Sequence, residues 1–235
     1  MPLAPAPFSR RLCLRPVRVL AALSVLLVGL VNWAEAHANP DAGAFLVTFG
    51  QNAAKELNDP DLSVDDREKR FRELFNEAVD IPAIGRFILG PYWRRAKEPE
   101  RAGFLKAFED IALQRFLPMF TRKSDEFRGK SFDVVDLRPV GKRPDQVFVY
   151  TRVERPSGPP VDMIWRVRKH GGKYRILDIS VQGLSMALTL RDEYRAVAKR
   201  LGGVGPLIQV MRKKLSEGAY APKTLGAVEP APRAE

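Results

Sequence analysis

The sequence predicts an α+β fold, in which a four-stranded antiparallel meander sheet packs against several helices. The first observation behind this prediction is that apolar residues recur every three or four positions between Pro40 and Phe120, which is the period of an amphipathic helix. The second is that the period changes to two after Gly129, as it does in half-buried strands. A helical half followed by consecutive strands is typical of α+β domains.

Proline and glycine divide the helical half into segments. Ser63 and Asp66 resemble a capping box that opens the second segment, and Pro82 suits the first turn of the third. The longest helix begins near residues 98–100, and Pro118 inside its pattern is expected to kink or end it. The apolar positions of the successive segments are Phe45, Phe49, Ala53 and Leu57; Phe71, Leu74, Phe75 and Ala78; Ile84, Phe87, Ile88 and Leu89; and Phe104, Leu105, Phe108, Ile111, Ala112, Phe116 and Phe120.

The second half of the chain predicts strands and then two more helices. Turn residues at 155–160 and 170–172 favour hairpins, and therefore an antiparallel meander. Met163 and Trp165 alternate with charged residues, which indicates one buried face and one wet face. Gly202 and Gly203 are expected to cap and separate the two helices. The strands are predicted at 131–138, 146–155, 161–169 and 173–181, and the helices at about 188–201 and 204–215.

The N-terminal residues have the three parts of a secretory signal peptide. Basic residues from Arg10 onward precede an apolar run at 17–31, and small-residue cleavage triplets end at Ala36 and Ala38. The apolar run is shorter than the roughly 20 residues that span a bilayer. Cys13 precedes this run and would leave with the signal, so we expect no disulfide. The expected boundaries are a signal peptide at 1–38, a domain at 39–217 and a disordered Ala- and Pro-rich tail at 218–235.

These segments predict a periplasmic protein, exported by the Sec or the twin-arginine route. An uncleaved N-terminal anchor is the alternative. The chain is also strongly basic, with a net charge of +11, and without residues 1–38 it keeps 35 basic and 27 acidic side chains, or +8. Because such a charge favours an anionic partner, we expect acidic lipid or a membrane-bound protein, and no nucleic acid, unless the charge only solvates the surface. The cations that we expect to serve docking are Arg94, Arg95, Lys97, Lys199, Arg200, Arg212, Lys213 and Lys214.

The residues that carry chemistry in enzymes are scarce. Beyond residue 38 the chain has no cysteine and one histidine, His170, which lies in a predicted glycine turn. No zinc-protease, nucleophile-elbow, phosphate-loop or dinucleotide motif occurs. The adjacent carboxylates at 109–110 and 192–193 diverge on a helix instead of converging on a substrate. We therefore expect no enzyme activity, no metal and no cofactor.

Large apolar side chains are abundant in this sequence. Nine of the 13 phenylalanines lie between Phe45 and Phe120, on several helices beside a single sheet. Such a fold forms either a solid core or an apolar pocket between helices and sheet, and the composition leaves both alternatives open.

Several stretches together resemble the MlaC, or toluene-tolerance, family of periplasmic phospholipid-binding proteins. The likeness runs in order from about Phe45 to Leu215. The chain departs from the family pattern at Gln182 and at Leu190, which puts a shared contact through Gln182 in doubt. The stretches are DIPAIGRFILGPYWR at 80–94, FLKAFED at 104–110, PPVDMIWRVR at 159–168, YRILDISVQGLSMA at 174–187 and LRDEY at 190–194.

The resemblance implies a monomeric carrier that holds phospholipid as cargo in an apolar cavity. It would pass lipid between an outer-membrane lipoprotein complex and an inner-membrane ABC transporter, and so serve the asymmetry of the outer membrane. The alternatives are a paralogous hopanoid carrier, an envelope scaffold, and an exported enzyme with Asp178 as its acid–base candidate. The alternation and the resemblance together predict that the cavity is lined by Phe87, Tyr92, Trp93, Phe104, Phe108, Phe116, Val149, Thr151, Met163, Trp165, Leu177 and Ile179.

Overall fold

The computed structural model describes residues 41–121, 132–154 and 159–221. The expected signal peptide and most of the expected tail lie outside these residues. Within them, seven helices and one five-stranded antiparallel sheet form an α+β fold, as predicted, with one short strand more than expected. The elements are α1 Asp41–Leu57, α2 Val64–Ala78, α3 Ile81–Leu89, α4 Pro91–Arg95, α5 Glu98–Thr121, β1 Phe132–Val140, β2 Arg143–Val153, β3 Val161–His170, β4 Lys173–Val181, β5 Leu184–Ser185, α6 Met186–Leu201 and α7 Val204–Ser216.

Capping residues mark the starts of α2 and α3 and the end of α6. The Ser63 side chain caps α2 by accepting a hydrogen bond from the Asp66 backbone N–H at 3.0 Å, and its hydroxyl donates to the Asp66 carboxylate at 2.6 Å in place of the backbone bond of a full capping box. Asp80 caps α3 by accepting from the Ala83 N–H at 3.0 Å, and Pro82 lies in the first turn. Gly202, in the left-handed region with φ 83°, ends α6 as predicted.

Two regions lie at boundaries that the sequence suggested. Helix α5 continues through Pro118 to Thr121 and does not end there, and because the proline lies in the last helical turn it removes only one backbone hydrogen bond near the end. At the C-terminus, packing extends past residue 217. Tyr220 is buried, and its backbone N–H donates to Oε1 of Gln114 at 3.0 Å, while Nε2 of Gln114 donates to the Leu215 carbonyl.

The sheet is a simple meander in the order β1-β2-β3-β4-β5, in which all neighbours pair antiparallel. Gly171 and Gly172 both have positive φ, which a two-residue hairpin turn requires. The fifth strand exists because Gln182 and Gly183, also both at positive φ, make a second tight turn that brings Leu184 back beside Val181. The predicted ends at 131 and 155 lie outside the described residues.

The helices bury one face of this sheet. The main core contains Leu46 of α1, Ile88 of α3, Phe104 of α5, Val149 of β2 and Val167 of β3. A Cβ at Gly43 of α1 would lie 3.3 Å from the Val134 side chain, so this glycine lets α1 lie close to β1. Among the described residues, no helix is long and apolar enough to cross a membrane.

Arg195 joins α6 to the end of α3. Its guanidinium donates to the carbonyls of Ile88 at 2.8 Å and Phe87 at 2.7 Å, which are among the C-terminal carbonyls that a helix leaves without partners. Gly90 follows with φ 52°, and a Cβ at this position would overlap the Arg195 guanidinium. Glycine is therefore required here both for the backbone conformation and for the close approach of the arginine.

Candidate functional site

The helix-facing side of the sheet carries three rows of side chains that lie opposite one another across the strands. The rows follow from the strand register, in which Val147 pairs with Val167, Val149 with Trp165, and Thr151 with Met163. In order along the strands, the rows are Val147, Val167 and Ile176; Leu137, Val149, Trp165 and Ile179; and Val134, Thr151, Met163 and Val181.

The first row is more buried than the second and third, apart from the exposed Pro139, which pairs with Val147 from β1, and the face is almost entirely apolar. Val147, Val167 and Ile176 are all buried. In the next two rows Val149 and Thr151 remain buried, whereas the other side chains are only partly buried. Because these partly exposed apolar side chains lie on a sheet face that helices cover, we take this face, toward the end of β2 and the start of β3, as the candidate cleft. These side chains are Val134, Leu137, Met163, Trp165, Ile179 and Val181.

Thr151 is the one buried polar side chain among the described residues. Its Oγ1 accepts a 2.8 Å hydrogen bond from the indole Nε1–H of Trp165. A buried hydroxyl needs such a partner, and the bond also fixes the plane of the indole on the sheet face. The β2–β3 pair therefore holds the largest side chain of the cleft in one orientation.

Of the predicted site residues on strands, five lie together and one lies apart. Val149, Thr151, Met163 and Trp165 belong to the second and third rows on β2 and β3. Ile179 pairs with Trp165 from β4. Leu177 lies at an irregularity, where the register shifts between Ile176 and Asp178, so it has no opposite residue on β3.

The predicted residues of the helical half fall in three places. Phe104 and Phe108 of α5 are buried in the main core with ring centres 6.2 Å apart, and Tyr92 and Trp93 are partly buried against the same core. Phe116 packs on a second apolar cluster between α1, α2 and α5, which consists of Ala53, Leu57, Phe71, Leu74 and Leu113.

Phe87 lies at the surface, in contrast to the other predicted residues. On α3, Ile84 and Ile88 are buried, whereas Phe87 is exposed. The guanidinium of Arg191 lies 5.7 Å from the centre of its ring. This position separates Phe87 from the helix-facing side of the sheet.

Val134 and Leu137 of β1 share the cleft face and were missed from the sequence. Their spacing of three is not the spacing of residues on one face of a regular strand. The register shifts between Val134 and Asp136, so that an extra residue, Val135, restores both neighbours to the same face. Val135 itself is exposed. In the sequence, such a bulge is visible only as an interruption in the alternation of apolar and polar residues.

The tyrosines behind the core phenylalanines are neutral and deeply buried. Tyr194 of α6 meets Phe104 edge-on, with ring centres 5.9 Å apart, and its hydroxyl has no hydrogen-bond partner in the described part of the chain. Burial raises the pKa of Tyr194 well above its ordinary value and raises the pKa of Tyr220 to about 12. Neither phenol ionises near neutral pH, so these groups supply no acid or base to the cleft.

Groups able to do acid–base or metal chemistry do not converge in the part of the chain that is described. His170 is exposed at the β3–β4 turn. The Asp178 carboxylate accepts from the N–H groups of Ile179 and Ala187, at 2.8 Å each, and from the Ser185 hydroxyl. It therefore fixes β4 to the start of α6. No three His, Cys, Asp or Glu side chains among the described residues lie close enough together to hold a metal ion.

Two comparisons with known proteins match this fold. A family model described as "MlaC protein" matches residues 48–213. The structure is also similar to that of a phospholipid-binding protein from Ralstonia solanacearum, solved in complex with a phospholipid. The match has a TM-score of 0.65 and 20% sequence identity, and covers 76% of this chain and 98% of that chain. At this identity, the likeness shows a shared fold.

Proposed function

The chain belongs to the MlaC family, and from this membership we propose that it is a periplasmic carrier of phospholipid. It would move lipid between an outer-membrane lipoprotein complex and an inner-membrane ABC transporter, and so help to maintain the lipid asymmetry of the outer membrane. The similar structure from Ralstonia solanacearum contains a phospholipid, which supports this class of cargo. The signal-like residues 1–38 support the periplasmic location.

One structural observation carries the proposal: on the apolar, helix-covered side of the sheet, most side chains of the second and third rows are only partly buried. Acyl chains would lie along the two more open rows. The proposed lining combines five of the six strand residues predicted from sequence, without Leu177, with the two that β1 adds, and it excludes the surface residue Phe87. It consists of Val134, Leu137, Val149, Thr151, Met163, Trp165 and Ile179.

The energetics of lipid transfer explain why a carrier needs such a cleft. Two acyl chains of about 16 carbons each would cost on the order of 25 kcal/mol to expose to water, at about 0.8 kcal/mol per CH₂ group. A diffusing carrier must therefore cover both chains. Because bilayer and cleft are both apolar, exchange between them is nearly balanced, and direction has to come from the ATP-using partner.

Carriage requires binding without any chemical step. The carboxylate of Asp178, the acid–base candidate, accepts three structural hydrogen bonds. This engagement fits the expectation that the protein is not an enzyme. One chain supplies both walls of the proposed cleft, which supports a monomeric carrier with no cofactor besides its cargo.

Native mass spectrometry of protein purified from the periplasm tests the function directly. A phospholipid carrier retains an extra mass that lipid analysis identifies as glycerophospholipid. A rigid polycyclic lipid of the hopanoid class would instead support the paralogous carrier. Protein free of any lipid, purified under conditions in which a known lipid carrier keeps its cargo, would contradict carriage and support the scaffold or enzyme alternatives.

A further inference from the structure

Exposed large hydrophobic side chains are unevenly distributed over the described surface. There are five: Val64 at 73%, Phe87 at 41%, Val135 at 55%, Leu184 at 69% and Leu188 at 44% exposure. Scattered single apolar residues are ordinary on protein surfaces, whereas a group of them marks an interaction site. Phe87, Leu184 and Leu188 belong to such a group, which we name the α3–α6 patch.

The patch is assembled where the start of α6 meets α3. Leu184 follows the tight turn of Gln182 and Gly183, and all three residues are exposed. Leu188 lies in the first turn of α6, where its backbone N–H donates to the N-cap Ser185 at 3.1 Å. Within α6, steps of three and four residues place Leu188, Arg191 and Arg195 on one side of the helix, and Leu184 lies in β5 directly before the N-cap.

The same side of α6 continues from Leu188 through two arginines that contact α3. Arg191 lies over the Phe87 ring at 5.7 Å, and Arg195 donates to the Phe87 carbonyl at 2.7 Å. Arg191 and Arg195 therefore join α3 to the side of α6 that carries Leu188, and Phe87, Leu184 and Leu188 all remain exposed at this junction.

Cations accompany the patch. Arg86 is exposed next to Phe87, and Arg94 and Arg95 are exposed on α4, which follows α3 directly. None of these three guanidinium groups lies within 4 Å of a carboxylate of a described residue. The one acidic partner in the patch is Asp192, which pairs with Arg191 at 2.8 Å. A partner that complements this patch would carry negative charge at its surface and apolar groups directly beneath that charge.

We propose that the α3–α6 patch docks on the surface of an anionic phospholipid bilayer. Phe87, Leu184 and Leu188 enter the boundary between headgroups and acyl chains, while Arg86, Arg94 and Arg95 bind lipid phosphates. The strength of such a contact grows with the apolar area buried and with the number of cations. Three large side chains at a turn and a helix start suffice for it, whereas a stable protein interface uses about 20–30 residues on each side.

Vesicle flotation with the lipid-loaded, purified protein tests the proposal. The test variant is Leu184→Ser with Leu188→Ser, and the matched control is Val64→Ser with Val135→Ser, because both pairs replace exposed large hydrophobics outside the core. The vesicles contain either phosphatidylcholine alone or phosphatidylcholine with about 30% phosphatidylglycerol. Because flotation does not require that the protein carries cargo, lipid bound to each variant is measured separately by mass spectrometry.

We expect the wild type and the valine control to float with the anionic vesicles and much less with the neutral ones. The leucine variant should partition at least about tenfold more weakly, since it lacks two leucine side chains that the bilayer would otherwise bury, while its bound phospholipid and its circular dichroism stay unchanged. Equal flotation of all three proteins, or none by the wild type, would overturn the proposal. If the protein carries no lipid but its flotation still depends on Leu184 and Leu188, the result would contradict carriage and support the docking surface.

Discussion

The indole of Trp165 and the hydroxyl of Thr151 lie on neighbouring strands and are joined by a 2.8 Å hydrogen bond. Thr151 pairs with Met163 across β2 and β3, and Trp165 pairs with Val149. The bond therefore runs diagonally between two rows of the cleft face. It places a polar contact inside an apolar surface and so determines where the largest side chain of that surface lies.

Replacing Thr151 with Val keeps the shape of the side chain and removes the hydrogen bond. We expect a loss of about 1 kcal/mol in the free energy of unfolding, which is typical for one such bond. Denaturant titration measures this loss, and a broadened tryptophan emission would report the freed indole. Thr151→Ser, which keeps the hydroxyl, is the control and should retain the wild-type emission. A Thr151→Val protein with unchanged stability and emission would show that the bond does not hold the indole.

Replacing Met163 with Trp should fill the proposed cleft and reduce bound lipid. Ile164→Trp is the matched control, because Ile164 pairs with Tyr150 and Ser180 on the opposite face of the same strand. We expect the Met163 variant to lose most of its phospholipid and the Ile164 variant to keep it, as measured by lipid per protein in native mass spectrometry. Undiminished lipid in a folded Met163→Trp protein would contradict this position for the cleft.

The sequence was sufficient for the architecture because local signals encode it. Ser63, Pro82 and Gly202 mark helix ends through their own hydrogen bonds and dihedral preferences, and the structure confirms each of them. Pro118 was expected to kink or end its helix, and α5 continues through it to Thr121; the cost of a proline depends on how near it lies to the helix end, which the apolar pattern alone does not define.

The site was less predictable, because it depends on contacts between distant residues. The alternation of Met163 and Trp165 indicates which of them share a face, but which of these side chains stay partly exposed depends on how closely α1 approaches β1. The bulge at Val135 hid Val134 and Leu137. Phe87 fits a buried stripe as well as Ile84 does, and only the packing of α6 on α3 decides which of them faces water.

Gly90→Ala should destabilise the joint between α3 and α6. Gly90 and Gly141 share a φ of 52°, which disfavours alanine at either position, and the ψ of −113° puts Gly90 outside the left-handed region and adds to the strain there. Only at Gly90 would the new Cβ displace Arg195, since nothing lies within 4 Å of a Cβ at Gly141. We expect Gly90→Ala to cost at least about 1 kcal/mol more than Gly141→Ala, as the Arg195 hydrogen bonds are lost. Equal costs in denaturant titration would contradict a role for this contact.

Tyr194→Phe should leave stability unchanged or raise it at pH 7, because the buried hydroxyl has no partner among the described residues. The sign of its pH effect follows from burial, which raises the pKa of Tyr194 in the folded protein above the ordinary value of 10.0. Unfolded chains lose this proton above pH 10 while the folded protein keeps it, so the folded state becomes less stable as pH rises.

The wild type should therefore lose about 1.4 kcal/mol per pH unit relative to Tyr194→Phe above pH 10. Urea unfolding of both proteins at pH 7, 9 and 11 measures the difference, and the other titrating groups cancel in the comparison. A difference that stays constant from pH 9 to 11 would show that the Tyr194 phenol ionises in the folded protein as easily as in the unfolded chain.

Lipid transfer, finally, should depend on salt whereas lipid retention should not. Acyl chains carry no charge, so the apolar cleft does not account for the net charge of +8 that remains without residues 1–38. Anionic membranes and membrane-bound partners would attract this charge over a Debye length of about 10 Å at 0.1 M salt, which shrinks to about 3 Å at 1 M. The cations predicted for docking are exposed, apart from the partly buried Lys214; they are Arg94, Arg95, Lys97, Lys199, Arg200, Arg212, Lys213 and Lys214.

We expect the rate of transfer to acceptor vesicles or to the transporter to fall as salt rises from about 0.05 to 0.5 M, because screening weakens the attraction over this range. Fluorescent-lipid transfer measures the rate, and native mass spectrometry at the same salt concentrations measures retained lipid as the control. Exchanging Arg94 and Arg95 for Gln should slow transfer at low salt and flatten its salt dependence. A wild-type rate that is constant over the whole range would mean that the basic surface does not steer docking.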